Sequence, residues 1–246
     1  MIPKRIYYVW FGKKELPKQV KKNIESWKKF NPTFDIIQID ESNYDISKFK
    51  FCKEAYDAKS WAFASDVARL DVIYNNGGFY FDTDVKLIKS LDPLLTNKAV
   101  WAMENSGDIN SGLGVGVEPH DENVKKLLEI YKVLQYTDDQ RQWYDLITTN
   151  IISDYFKQHG LKERNRLQTL ADGTTIFPSE YFAPYHWWGG GKITPKTIAV
   201  QQYGNSWGSD NGAISKYRIF KYNLQLHWPS LFFTVVHLHK KLKGTE

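Results

Sequence analysis

The stretch WAFASDVARLDVIYNNGGFYFDTDVKLI, residues 61–88, changes its hydrophobic period once, and that change sets the fold class. Trp61, Ala64, Ala68 and the pair Val72 and Ile73 recur at helical spacing, and Asn75-Asn76-Gly77-Gly78 supplies a helix stop. Beyond Gly78 the residues turn aromatic and β-branched, as a strand requires. The same alternation runs along the first 135 residues. RIYYVWF (5–11) predicts a strand, and Pro17 opens a helix carrying Val20, Ile24, Trp27 and Phe30 on one stripe. FDIIQI (34–39), FYFDTDVKLI (79–88) and AVWAME (99–104) predict strands, while 122–135 and 141–158 predict helices. Residues 172–212 are rich in Gly, Pro and aromatics, which predicts long loops gathered about a site. The expected architecture is α/β: one domain over 1–246, with a mostly parallel central sheet flanked by helices. Residues 213–246 are set apart as a C-terminal extension.

Composition narrows the function classes. An apolar share of 42% with 25% charged residues belongs to a globular chain with a real core. No apolar run reaches twenty residues, and MIPKRIYYVWFG has no signal-peptide h-region, so the expected location is cytoplasmic. A single cysteine, Cys52, excludes an internal disulfide framework and a cysteine-rich zinc site. The formal charge of +5 favours acidic partners such as nucleotides. Nucleic acid is not the expected partner, because the lysines are scattered and no binding motif accompanies them. Aromatics make up 15% of the chain, and flat faces of that kind stack on bases and sugar rings as well as filling cores.

If 79–88 is one extended strand, Tyr80, Asp82 and Asp84 share a face, and Phe79, Phe81, Thr83 and Val85 share the other. Two carboxylates so placed repel, and burying them is costly unless a cation lies between them. Mn²⁺ or Mg²⁺ answers that need, taking one or two carboxylates together with phosphate oxygens and water. A bare D-x-D also occurs on hydrated edge strands. Asp66 and Arg69, three apart on a helix, are by themselves an ordinary ion pair.

The longer block decides between these readings. FASDVARLDVIYNNGGFYFDTDV, residues 63–85, resembles glycosyltransferase family 32, whose members include bacterial capsule and lipopolysaccharide enzymes. IPKRIYYVWFG at the N-terminus and Asn205-Ser206-Trp207 near the end are similar to that family's opening motif and late S-W loop. The resemblance implies a GT-A-like fold and metal-dependent, retaining transfer of a hexose from a nucleotide sugar to a glycan acceptor. UDP-hexose is the favoured donor, with GDP-mannose second, and the pathway is surface polysaccharide synthesis. By the same resemblance Trp10 stacks on the base, and Asp66 and Arg69 hold the donor sugar and diphosphate. Tyr80 lies by the ribose and phosphates, Asp82 and Asp84 hold the metal, and Asn110 faces a sugar hydroxyl. Ser206 and Trp207 close over the β-phosphate. Catalysis is thereby assigned to Asp66, Arg69, Asp82, Asp84 and Trp207.

Two departures from the family bear on these roles. Histidines often precede the family's S-W loop, where this chain has Gln201 and Gln202, so Asn205, Ser206 or water supplies the third metal ligand. The family's T-G-P stretch is replaced near Thr148-Thr149-Asn150. TIFPSEYFAPYHWWGGGK (175–192), with Tyr181, Phe182, Tyr185, His186, Trp187 and Trp188, is a candidate clasp for the acceptor, which is expected to be a glycan on a lipid carrier. The aromatic C-terminus with Lys240, Lys241 and Lys243 is a candidate for peripheral contact with an anionic membrane. A nucleotide-sugar hydrolase and a non-catalytic carbohydrate-binding protein are the alternatives.

Overall fold

The computed structural model describes residues 1–186 and 190–203, with Phe220, Leu224, Trp228, Ser230, Leu231, Phe232, Thr234 and Val235 beyond them. The elements in order are β1 (Arg5–Val9), α1 (Lys18–Phe30), β2 (Asp35–Ile39), α2 (Lys50–Asp57), α3 (Trp61–Asn76), β3 (Gly78–Tyr80) and β4 (Val85–Leu87). Next come β5 (Ala99–Ala102), β6 (Val115–Val117), α4 (Glu122–Val133), α5 (Thr148–Gln158), β7 (Gln168–Thr169), β8 (Thr174–Phe177), α6 (Ser179–Phe182) and β9 (Ala199–Gln201). Seven strands form the central sheet in the order β2-β1-β3-β6-β5-β8-β7, and β4 pairs with β9 in a separate ribbon. β2, β1, β3, β5 and β8 run in one direction; β6 and β7 oppose them. The mostly parallel sheet expected from the sequence is present.

Strand alternation divides the core into two layers. Tyr7, Val9, Tyr80, Ala99 and Trp101 face α2, α3, α4 and α5. Ile6, Tyr8, Phe79, Val100 and Ala102 face the opposite side with Ile24 and Trp27 of α1 and Phe182 of α6. α3 is buried along nearly its whole length, because it lies between the sheet on one side and α2 and α4 on the other. α4 starts where Asp121 accepts a hydrogen bond from the Val124 amide at 3.1 Å.

Three sequence expectations need correction. Residues 79–88 are not one strand: β3 ends at Tyr80, and Val85 N–H donates to the Asp82 carbonyl at 3.0 Å, closing a turn over Asp82 to Asp84. Aspartate favours turns, and a continuous central strand would have carried both carboxylates into the sheet. The helix expected over 141–158 is two pieces, a 3₁₀ segment at Gln140–Asp145 and then α5. Ile147 is extended between them (φ −65°, ψ 122°), and Thr148 opens α5 with its hydroxyl taking a hydrogen bond from Tyr131 at 3.1 Å. Within 172–203, the short elements β8, α6 and β9 interrupt the expected loop. Among the described residues no helix is long and apolar enough to cross a membrane.

Candidate active site

The strands that run together end at one rim of the sheet, and the chain places its polar side chains there. β1 ends into Trp10, β3 into Asp82, and β5 into Glu104. β1 and β3 are paired in parallel with Tyr7 opposite Tyr80, so Trp10 and the Asp82–Asp84 turn project from neighbouring strands. The turn is held from below by α1. Asn23 Nδ2 donates to the Thr83 carbonyl at 2.9 Å, and Trp27 Nε1 donates to the Val85 carbonyl at 2.9 Å.

Arg69 is the hub of the site. Its Nη2 pairs with Asp66 at 3.0 Å and Asp82 at 3.2 Å, and its Nη1 donates to the Ser111 hydroxyl at 3.1 Å. The guanidinium carbon lies 4.8 Å from the Tyr80 ring centre, and the Tyr80 hydroxyl donates to Asp82 Oδ1 at 2.9 Å. Asp82 Oδ1 is thereby fixed from two sides. Asp66 and Arg69 are only 1% and 4% exposed, and of the two it is Arg69 that reaches Asp82 at the rim. Burial opposes the Arg69 charge, but Asp82, Tyr80 and Asp66 more than offset it and raise its pKa. Burial likewise pushes the Asp66 carboxyl up, Arg69 pulls it down and Asp82 adds to the rise, leaving it at about 7.

That shift gives a test. A carboxyl raised in the folded state binds protons there that the unfolded chain has released, so its contribution is favourable at low pH and is lost as pH climbs from about 4 to about 7. The melting temperature of the native protein relative to Asp66→Asn is therefore expected to fall between pH 4 and pH 8. A difference that stays level across that range in thermal unfolding would remove the buried carboxylate from the account.

Asp84 is held differently. Its Oδ2 accepts from Gln201 Nε2 at 3.2 Å, and its carbonyl accepts from the Gln202 amide at 3.1 Å, so β9 pins the second aspartate. Gln201 Oε1 is buried with no hydrogen-bond partner. Two carboxylates and an amide oxygen are hard donors of the kind Mn²⁺ and Mg²⁺ accept. Among the described residues no three His, Cys, Asp or Glu side chains form a metal cage. These donors are of the chemical type that a divalent ion takes.

Further residues shape the rim around the two aspartates. A Cβ on Gly112 would lie 2.0 Å from Asp82 Oδ2, so only glycine allows the carboxylate its seat. Gly112→Ala is expected to displace Asp82 and reduce activity about 10²-fold, with a stability loss of about 1–3 kcal/mol. Wild-type rates in this variant would show that the Asp82 position is dispensable. Glu104 accepts from Asn110 Nδ2 at 2.6 Å, while Asn110 Oδ1 accepts from the Gly112 amide at 2.8 Å, so Asn110 is engaged in a turn. Burial raises the Glu104 carboxyl. It also raises the Tyr203 phenol, with Glu104 and Asp84 adding to the effect. Trp10 is half-buried, donates from Nε1 to the Lys14 carbonyl at 2.6 Å, and lines a cavity of about 510 Å³ with Lys13, Gln38, Asp40 and Ser42. Asn205, Ser206, Trp207, Trp187 and Trp188 lie outside the described residues.

Residues 17–101 match the family model described as glycosyltransferase sugar-binding region containing DXD motif. The chain is a glycosyltransferase carrying that region. The transferase shares its fold with the PaToxG glycosyltransferase, at 16% identity and a TM-score of 0.52 over 64% of this chain and 69% of that one. The galactosyltransferase LgtC, solved with donor and acceptor sugar analogs, is similar at 14% identity and TM-score 0.45, covering 89% and 94% of the two chains. The apo glycosyltransferase GlyE of Streptococcus pneumoniae TIGR4 is similar at 11% and 0.48, covering 90% of this chain and 60% of that one. No curated protein sequence matches the transferase. Its α/β fold, a mostly parallel central sheet flanked by helices, is the one the sequence led us to expect.

Proposed function

We propose that the transferase moves a hexose from UDP-hexose to a glycan acceptor with retention of anomeric configuration, assisted by Mn²⁺ or Mg²⁺ at Asp82 and Asp84. The observation that carries this reading is the convergence, at one rim, of a tryptophan-lined cavity with a carboxylate pair whose first member is clamped by a buried arginine. Trp10 stacks on the uracil, and the polar lining from Gln38 to Ser42 meets the base edge and ribose hydroxyls. A divalent cation held by Asp82 and Asp84 would supply positive charge to stabilise the leaving diphosphate. Asp82 and Asp84 hold that assembly in place. Arg69 cancels the charge of Asp82 in the absence of donor, so the rim need not collapse or protonate before the donor arrives. Glu104, at the end of the next outward-running strand, lies on the sugar side and steadies the positive charge developing there. Retention, attack on the face from which the diphosphate leaves, and a lipid-linked acceptor in surface polysaccharide synthesis rest on the sequence resemblance.

Cleavage of UDP-glucose, UDP-galactose, UDP-N-acetyl sugars and GDP-mannose with Mn²⁺ tests the donor. A UDP-hexose is expected to be cleaved fastest, and failure to cleave any of them would end the proposal. Proton NMR of the product anomer tests retention. Trp10→Ala is expected to weaken UDP binding roughly tenfold, since stacking of one base is worth about 1–3 kcal/mol. Unaltered affinity in calorimetry would place the base elsewhere. Peripheral membrane contact is part of the same reading. Phe220, Trp228, Leu231 and Val235 are each at least half exposed, apolar side chains of the kind that enter a membrane interface. Co-sedimentation with anionic but not neutral vesicles is the corresponding test.

A further inference from the structure

A second cavity of about 510 Å³ opens at the other end of the rim from Trp10, with Arg166, Tyr181, His186, Lys192 and Lys196 in its wall. Two strands connect it to the active site. β8 runs into its floor, where the Met103 amide donates to the Phe177 carbonyl at 2.9 Å and Asn105 Nδ2 donates to the Ala183 carbonyl at 3.1 Å, on either side of Glu104. β9 begins just after Lys196 and ends at Gln201, the residue that holds Asp84. The cavity therefore sits beside the sugar end of the rim, as the nucleotide cavity sits beside the other.

Its charge is unbalanced. Lys196 Nζ pairs with Glu180 at 3.3 Å, and the same glutamate accepts from the Thr194 hydroxyl at 2.7 Å, so the wall's one carboxylate is already engaged. Arg166 and Lys192 are exposed and have no carboxylate partner among the described residues. Asn165 and Ser179 bond each other twice, Nδ2 to Oγ at 2.7 Å and amide to Oδ1 at 2.8 Å, which keeps the surface under those cations rigid. The Tyr181 ring, packed edge-on against Phe177 with centroids 5.0 Å apart, offers a flat face of the kind that stacks on a sugar.

We propose that this cavity seats the acceptor and selects an anionic saccharide, one bearing a phosphate or a uronate, through Arg166 and Lys192. The proposal rests on the transferase reading of the rim for its place in the reaction. The two cations form charge-assisted hydrogen bonds to the acidic group, and Arg166 can engage two of its oxygens at once.

Binding of methyl glucoside, glucose 6-phosphate and glucuronic acid to the full chain, with the donor site filled by UDP and Mn²⁺, tests it by calorimetry. At least one acidic probe is expected to bind roughly tenfold or more tightly than methyl glucoside, with the preference shrinking as salt is raised. The tighter of the two acids identifies the source of the charge. The double variant Arg166→Ala, Lys192→Ala, at exposed positions where folding is not at stake, is expected to erase the preference. Equal binding of neutral and acidic probes overturns the proposal, as does a preference that survives in the double variant. UDP affinity measured on the same native protein separates the two readings: lost UDP binding with the acid preference intact overturns the donor assignment and supports anion selection.

Discussion

Asp84→Asn is expected to lower metal-dependent donor cleavage about 10²–10³-fold while moving stability by no more than about 0.5 kcal/mol. The reasoning separates charge from shape. Asp84 sits in a turn, half-buried, and its Oδ2 accepts from Gln201 Nε2 at 3.2 Å, a bond that an asparagine oxygen accepts equally well. The fold therefore loses little. The site loses one of two negative charges available to a divalent ion, and a neutral amide is a much poorer ligand than a carboxylate. Rates measured against Mn²⁺ concentration should show a higher metal requirement as well as a lower ceiling. Undiminished cleavage, at the native metal dependence, would refute the role given to the D-x-D turn.

Arg69→Met is expected to cost about 3–5 kcal/mol of stability and nearly all activity, because it leaves Asp66 buried without a counter-charge and frees Asp82 from one of its two anchors. The large number comes from the stranded carboxylate rather than from the worth of the pair. Asp66→Asn, added to Arg69→Met, should therefore return about 1–3 kcal/mol of the loss without returning activity. Urea unfolding of the single and double variants measures this. If the double variant is less stable than Arg69→Met alone, Asp66 is not the charge that Arg69 neutralises. Arg69→Lys is not a conservative change here, since one ammonium cannot reach Asp66, Asp82 and Ser111 in the directions the guanidinium fork does.

Much of the framework was legible in the chain. α3 occupies Trp61–Asn76, the range its hydrophobic period and terminal Asn-Asn-Gly-Gly marked, since a buried helix followed by a glycine stop depends on local residues. β6, by contrast, is only Val115–Val117, and its central glycine reads as a strand breaker. Its register places Gly116 beneath Phe79, where a Cβ would lie 2.4 Å from the ring, so the glycine is needed by a partner 37 residues away. The extension of β3 through Asp84 failed for a related reason. Period-2 alternation correctly put Tyr80 and Asp82 on one side, but nothing local says that β4 leaves the sheet to pair with β9.

By itself the sequence determined the alternation of helices and strands, the pairing of two aspartates with an upstream aspartate and arginine, and the aromatic at the end of the first strand. Each depends on spacing along a few turns or a few residues, where propensity and periodicity act. Only the tertiary structure decided that Arg69 and Asp66 are buried together with Arg69 reaching Asp82, that Gly112 makes room for that carboxylate, and that Gln201 holds Asp84 across 117 positions of chain. Those outcomes turn on desolvation and close packing between segments distant in sequence. Charge and volume are settled there by which neighbours arrive, and one-dimensional spacing carries no record of them.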